Sequence, residues 1–249
     1  MLAIDISDRF SVVGPSEFSA PWLVAFTTLA QHDNRVVDFK AGSCEAQRRE
    51  LESCLAPLAV TWLTLEHKAT VVDINQEAHY LNSPVADAAI VSRPGSAVAF
   101  TTADCLPIVC FSEKQRVAAG IHAGWRSLAA GIVEAVIARL NTEYSVHPAS
   151  LKVWIGPSIG KDDYEVSDTV RTKLLIRPAV AEDCFQPVKP GHWLADLAGA
   201  ATAILTSLGI VPNNVERYPV STKRSPLLHS ARRDGDRAGR MATVVGIKE

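Results

Sequence analysis

The stretch "ADCLPIVCFSEKQRVAAGIHAGWR", residues 103–126, sets a cysteine and a histidine near the two ends of what reads as a β-hairpin. "CLPIVCF" and "RVAAGIH" are both strand-like, and the polar "SEKQ" separates them. A reversal at Glu113–Lys114 places Phe111 opposite Arg116, Ile108 opposite Ala119 and Cys105 opposite His122. Directly opposed residues carry Cβ atoms roughly 4.5–5.5 Å apart. At that distance a thiolate and an imidazole can share one metal ion, or work as nucleophile and base. The pair also reads as a small buried residue and a histidine that fills space, because cysteine is among the most buried residue types. Against the register stand "EK", which is not a favoured two-residue turn, and Pro107, which cannot donate within a ladder. In favour of a site stands the local chemistry. Asp104 adjoins the cysteine, Gly124 permits close approach of a ligand, and Arg126 offers a fork for an anion at a helix start.

The elements that would position these residues follow from patterning. "LVAFTTL" (23–29) reads as a strand, and 43–57 as an amphipathic helix that stops before Pro57. Residues 59–74 read as two short strands with His67 between them. "DAAIVS" and "SAVAFTTADC" are strands parted by the turn "RPGS". After the hairpin, 127–141 has helical spacing, with Ser127 as N-cap and Asn141 as stop. "LKVWIG" is a buried strand that runs into the turn "PSIG"; 167–176 and 194–209 are helices, the second ended by Gly209, with Asp196 near its start. "VERYPVS" and "MATVVGI" close the chain as strands. Strands and helices alternate irregularly, so the expected fold class is α/β (α+β): a single domain over 1–249 with mixed sheets covered by helices.

Composition narrows the function classes. The chain has 249 residues, of which 47% are hydrophobic, enough for a substantial core. A net charge of −2 with mixed signs leaves no footprint for nucleic acid or an anionic membrane. No apolar run approaches the roughly 18 residues of a membrane span, and the N-terminus reads as mature protein. Five irregularly spaced cysteines argue against a disulfide framework and for a reducing, cytoplasmic setting. No G-x-G-x-x-G or P-loop lysine is present, so nucleotide binding of those kinds is not expected. A small-molecule substrate and a monomer are the default expectations. The basic run "KRSPLLHSARRDGDRAGR" (223–240) is the local exception. His32, His79, His147, His192 and His229 receive no role.

Four motifs, "TADCLPI", "HAGWR", "IGPSIGKDDYEV" and "RRDGDRAGRMATVV", occur in an order that resembles the YfiH, or laccase-domain, family. The likeness covers roughly residues 20–247. It implies a YfiH-like layered sandwich, and a metal held by His67, Cys105 and His122. Two histidines and a thiolate are the kind of three-ligand set that catalytic zinc uses, with a fourth position open. The ligands are 38 and then 17 residues apart, unlike any zinc finger. Where the family has "QVHG" this chain has "LEHK", with Leu65 and Lys68 replacing glutamine and glycine; where it has "TTRxGG" this chain has "TTLAQH", with Leu29 for arginine. "GPSIGKDDYEV" also lacks the cysteines common in that motif.

The resemblance implies a zinc-dependent purine nucleoside phosphorylase. Adenosine, inosine or methylthioadenosine would be cleaved by phosphate, together with hydrolytic deamination of adenosine. Asp104 would serve proton transfer or the orientation of a ligand histidine. Arg126 is the first candidate for phosphate, with Arg232, Arg233 and Arg240 behind it. Alternatives are a copper polyphenol oxidase (laccase), a metal-free Cys–His hydrolase or amidase of peptidoglycan-precursor editing, and a non-catalytic metal-binding relative. The histidines include no His-x-His pair, which disfavours laccase chemistry with several coppers.

Overall fold

The computed structural model describes residues 9–33, 35–40, 44–74 and 83–249. Two mixed sheets dominate. The first runs in the order Val12–Val13, Leu23–Thr28, Met241–Ile247, Ser96–Thr102, Ala59–Trp62. The second runs Val215–Arg217, Lys152–Ile155, Leu106–Ser112, Val117–Ala123, Ala88–Val91, Val71–Asp73. Strands such as "LVAFTT", "MATVVGI" and "VAAGIHA" are buried along their whole length because each sheet is covered on both faces.

Alternation sorts the side chains into layers. From the second sheet, Ile108, Cys110, Ala119 and Ile121 point to helices at Ile132–Tyr144 and Leu197–Ser207. Val109, Phe111 and Ala118 point the other way, onto Val98, Phe100 and Val245 of the first sheet. The far face of the first sheet packs Val24, Phe26 and Val244 against Leu51 and Leu55 of the helix Glu45–Leu55. The result is a helix–sheet–sheet–helix sandwich, the α/β class with layered mixed sheets. Among the described residues no helix is long and apolar enough to cross a membrane.

The chain passes between the sheets repeatedly. It leaves the first sheet after Trp62 and enters the second at Val71; it leaves the first again after Thr102 and re-enters the second at Leu106. His67 lies in one of these crossings and Cys105 in the other. Both open at the end of the second sheet where Ala123 finishes its strand, as its pairing with Leu106 shows.

Several expectations need correction. The hairpin pairs Val117 with Ser112, Ala119 with Cys110 and His122 with Pro107. Its loop is therefore Glu113–Arg116, not Glu113–Lys114, closed by the Ser112 hydroxyl on Gln115 and by Arg116 in the left-handed region at φ 49°. Cys105 stands beyond the ladder, in register with Gly124 and not with His122. The predicted helix 127–141 is two helices, Trp125–Ala130 and Ile132–Tyr144, broken at Gly131 with φ 86°. Ser127 sits inside the first, and the second runs past Asn141 to Tyr144. The helix expected from residue 194 starts at Leu197, capped by Asp196, which accepts from Gly199 N–H at 2.7 Å; His192–Ala195 is a strand. Ser43 and His79 lie outside the described residues. Strands at Glu165–Ser167 and Phe185–Lys189, which form a small sheet with His192–Ala195, carry no alternation that betrays them.

Gly120 lies where the two sheets pack closely. A Cβ there would lie 2.8 Å from Phe100 Cε1 and 3.1 Å from Val245 Cγ2. Gly120→Ala is expected to destabilise the fold by about 1–3 kcal/mol through overpacking, read as a lower urea midpoint at unchanged slope.

Candidate metal centre

The three residues implied as ligands do converge. One donor atom each from His67, Cys105 and His122 lies within 4.8 Å of the other two. Among the described residues no other group of three or more His, Cys, Asp or Glu side chains is so arranged. The rings of His67 and His122 meet edge to face with centroids 4.8 Å apart. A thiolate and two imidazoles at this spacing suit a soft or borderline divalent ion, so these residues can hold a metal.

Each ligand is presented by a distinct local device. His122 is the penultimate residue of its strand and is 2% exposed. His67 is exposed and adopts φ 59°, a left-handed conformation uncommon for a residue with a Cβ. Cys105 follows Asp104, which is held at φ 94°. Space for the sulfur comes from Gly124, whose added Cβ would stand 2.9 Å from Cys105 Sγ and 3.4 Å from His67 Cδ2. That is the close approach its place in "HAGWR" requires.

A residue that the motifs do not single out organises this corner. Asp87 is 0% exposed and precedes the strand Ala88–Val91, in register with His122 across the ladder. Its carboxylate accepts from His122 Nδ1 at 2.8 Å and from the backbone N–H groups of His67 at 2.9 Å and Lys68 at 2.8 Å. The sequence held one signal: Asp87 is the sole charge in "SPVADAAIV", a polar residue in an otherwise core-like run.

Asp104, 8% exposed, points elsewhere. It accepts from Thr222 Oγ1 at 2.5 Å and from Arg232 N–H at 2.7 Å, so the carboxylate on His122 is that of Asp87. Arg232 also donates to Glu165 O at 2.7 Å and stacks on Tyr164 at 4.8 Å. Arg233 donates to the carbonyls of Thr222, Ser225 and Leu228, and Arg240 to those of Ala238 and Gly239. Both are committed to shaping their own segment. Arg126 is exposed and lies on the Trp125 ring at 4.5 Å; among the described residues it alone of the four makes no hydrogen bond or ion pair through its guanidinium. Burial and the charges of Cys105 and Asp104, opposed by Arg232 and Arg126, push Tyr164 up to about 12. Its phenol therefore keeps its proton among these groups.

The electrostatics favour a thiolate beside an imidazolium. Burial alone would raise the Cys105 thiol, but His122 and His67 outweigh it and bring it down to about 6. Burial alone would lower His122, but Asp87 and Cys105 carry it up to about 9. Cys110, buried with no such partner, is pushed up to about 12.

Comparison with known proteins adds a second line. The family described as multi-copper polyphenol oxidoreductase laccase matches residues 32–248. A purine nucleoside phosphorylase of Xylella fastidiosa is 32% identical over 82% of this chain and 78% of its own. One of Pseudomonas aeruginosa is 35% identical over 86% of this chain and 84% of its own. The crystal structure of Bacillus licheniformis YfiH superimposes with a TM-score of 0.83 at 22% identity, over 91% of this chain and 93% of that one.

In the metal-free protein the Cys105 thiolate signal in the ultraviolet should disappear with a midpoint near pH 6. His122→Ala should move that midpoint upward, because it removes the hydrogen bond and positive charge that favour the thiolate. The depressed thiol supplies stability that is lost as pH falls through about 6, and the raised imidazole supplies stability that is lost as pH rises through about 9. An unshifted Cys105 midpoint in the variant would show that the two groups are not coupled.

Proposed function

The chain belongs to the multi-copper polyphenol oxidoreductase laccase family, and from that premise we propose that it is a zinc-dependent purine nucleoside phosphorylase. The observation that carries the reading is the convergence of His67, Cys105 and His122, on a chain whose curated relatives are named for this activity. The substrates are a purine nucleoside and inorganic phosphate. A phosphate oxygen bonds to C1′ of the ribose as the C1′–N9 bond breaks; the base leaves with the bonding pair and takes up a proton, and the sugar becomes ribose 1-phosphate.

His67, Cys105 and His122 would hold the zinc ion, which when bound would supply a Lewis acid. The remaining work falls to this chain's side chains. Arg126, whose guanidinium has no polar partner among the described residues and is stacked on Trp125, is the fork that takes phosphate. Arg232, its guanidinium fixed by Tyr164 and Glu165, is a second cation for the phosphate in this reading. Tyr164, with its proton retained, is a donor toward a substrate oxygen or ring nitrogen.

A second reading has an observation in its favour. Asp87, His122 and Cys105 line up as carboxylate, imidazole and thiol, the order of a cysteine hydrolase. In that scheme His67 is idle and metal inhibits.

One experiment separates the two. Metal content of the purified protein and of Cys105→Ala is measured, with base release from inosine followed with and without phosphate. The expected result is about one zinc per chain, lost in the variant together with phosphate-dependent release. Arg126→Ala should keep its zinc and raise KM for phosphate about 10–100-fold, the loss of one charge-assisted contact. Zinc without phosphate-dependent release would overturn the phosphorylase. Hydrolysis that survives chelation and His67→Ala would establish the cysteine enzyme instead.

A further inference from the structure

We propose that Asp87 is the positioning residue of this centre: one buried carboxylate that fixes the ring of His122 and the backbone of His67 together, and thereby sets the affinity for metal. The proposal rests on the metal-centre reading above. Oδ1 accepts from His122 Nδ1 at 2.8 Å and from His67 N–H at 2.9 Å. Oδ2 accepts from Lys68 N–H at 2.8 Å and from Glu66 N–H at 3.4 Å. The Asp87 carbonyl in addition accepts His122 N–H at 2.7 Å, which locks the two strands in register at this point.

Two consequences follow for the ligands. A carboxylate on Nδ1 keeps a hydrogen there and turns Nε2 toward the centre, so His122 ligates through Nε2. The grip on residues 66–68 holds His67 at φ 59°. Released from it, the segment would relax toward ordinary backbone and carry the ring away from Cys105. His67 and His122 belong to different segments, so Asp87 is the covalently continuous body to which both are tied. Asparagine matches it in size but can offer its amide nitrogen only as a donor, opposite groups that themselves donate.

The test measures zinc affinity by competition with a chromophoric chelator, on the full chain and on Asp87→Asn. Thermal unfolding of both metal-free proteins and the thiolate-to-metal charge-transfer band of their cobalt(II) forms are recorded alongside. The variant is expected to fold cooperatively, bind zinc about 10–100-fold more weakly, and give a displaced cobalt band. Zinc affinity within about twofold of the parent would overturn the role of Asp87. A parent that binds neither zinc nor cobalt would overturn the metal reading itself, a result distinct from equal binding by both proteins. Should the variant fail to fold, long-range proton–nitrogen correlation on the metal-free parent decides. A hydrogen on His122 Nδ1 is expected, and a ring protonated on Nε2 alone overturns the proposal.

Discussion

A carboxylate with no solvent contact must have its charge answered by donors, or it costs several kcal/mol of uncompensated burial. Asp87 meets that requirement with an imidazole from the neighbouring strand and backbone N–H groups from a loop twenty residues earlier in the chain. The demand runs both ways. Burial and these donors act on Asp87 together, and the donors prevail, so its carboxyl lies below its usual range and stays ionised. An ionised Asp87 in turn helps hold His122 as a cation, which favours the thiolate of Cys105. Charge thus alternates from Asp87 through His122 to Cys105, and each member stabilises the next.

The sandwich explains why this line lies at one end of the second sheet. Strand interiors are sealed between layers, and a polar group there would have no partner beyond the ladder. Where the chain crosses between sheets, the ladder stops and backbone donors become free to bind side chains. His67 and Asp104, both in crossings, take left-handed backbone at φ 59° and 94°. Such conformations cost about 1–3 kcal/mol each in non-glycine residues. Asp87 offsets the first through the 66–68 N–H groups, while Thr222 and the Arg232 N–H offset the second through the Asp104 carboxylate. The basic C-terminal segment therefore has a part in building the site: Arg233 shapes its turn and the Arg232 backbone clamps the cysteine loop.

Much of the sandwich was legible because its strands are short apolar runs separated by turn residues. The hairpin shows what patterning can and cannot convey. Its strands and the Cys105–His122 association were readable, yet the loop is two residues longer than supposed and His122 faces Pro107. The association survives because a shift of two preserves the face of every side chain. His67 was reachable only by resemblance, since a left-handed residue between strands of two different sheets leaves no periodic trace. The hairpin pattern does not point to Asp87, because Asp87 lies on the other flank of His122, beside the strand Ala88–Val91. The break at Gly131 was hidden in continuous helical spacing, and only its φ of 86° divides the helices.

The departures from the family pattern acquire physical content here. In "LEHK" lysine stands in place of a glycine, but Lys68 is not in the left-handed region; His67 is. What the site takes from position 68 is a backbone N–H for Asp87, and any residue except proline supplies it. The Lys68 side chain turns outward onto Glu66 at 2.6 Å, which Thr70 also contacts, so it closes a small surface network clear of the ligands. Leu29 is different in kind. Its N–H is used by Ser11 O, but leucine brings no charge, so an anion near the end of the strand Leu23–Thr28 finds no cation in that residue. Of Arg126, Arg232, Arg233 and Arg240, Arg126 is the one whose guanidinium makes no hydrogen bond or ion pair among the described residues. In the proposed phosphorylase, the positive charge that Leu29 does not bring is supplied by Arg126.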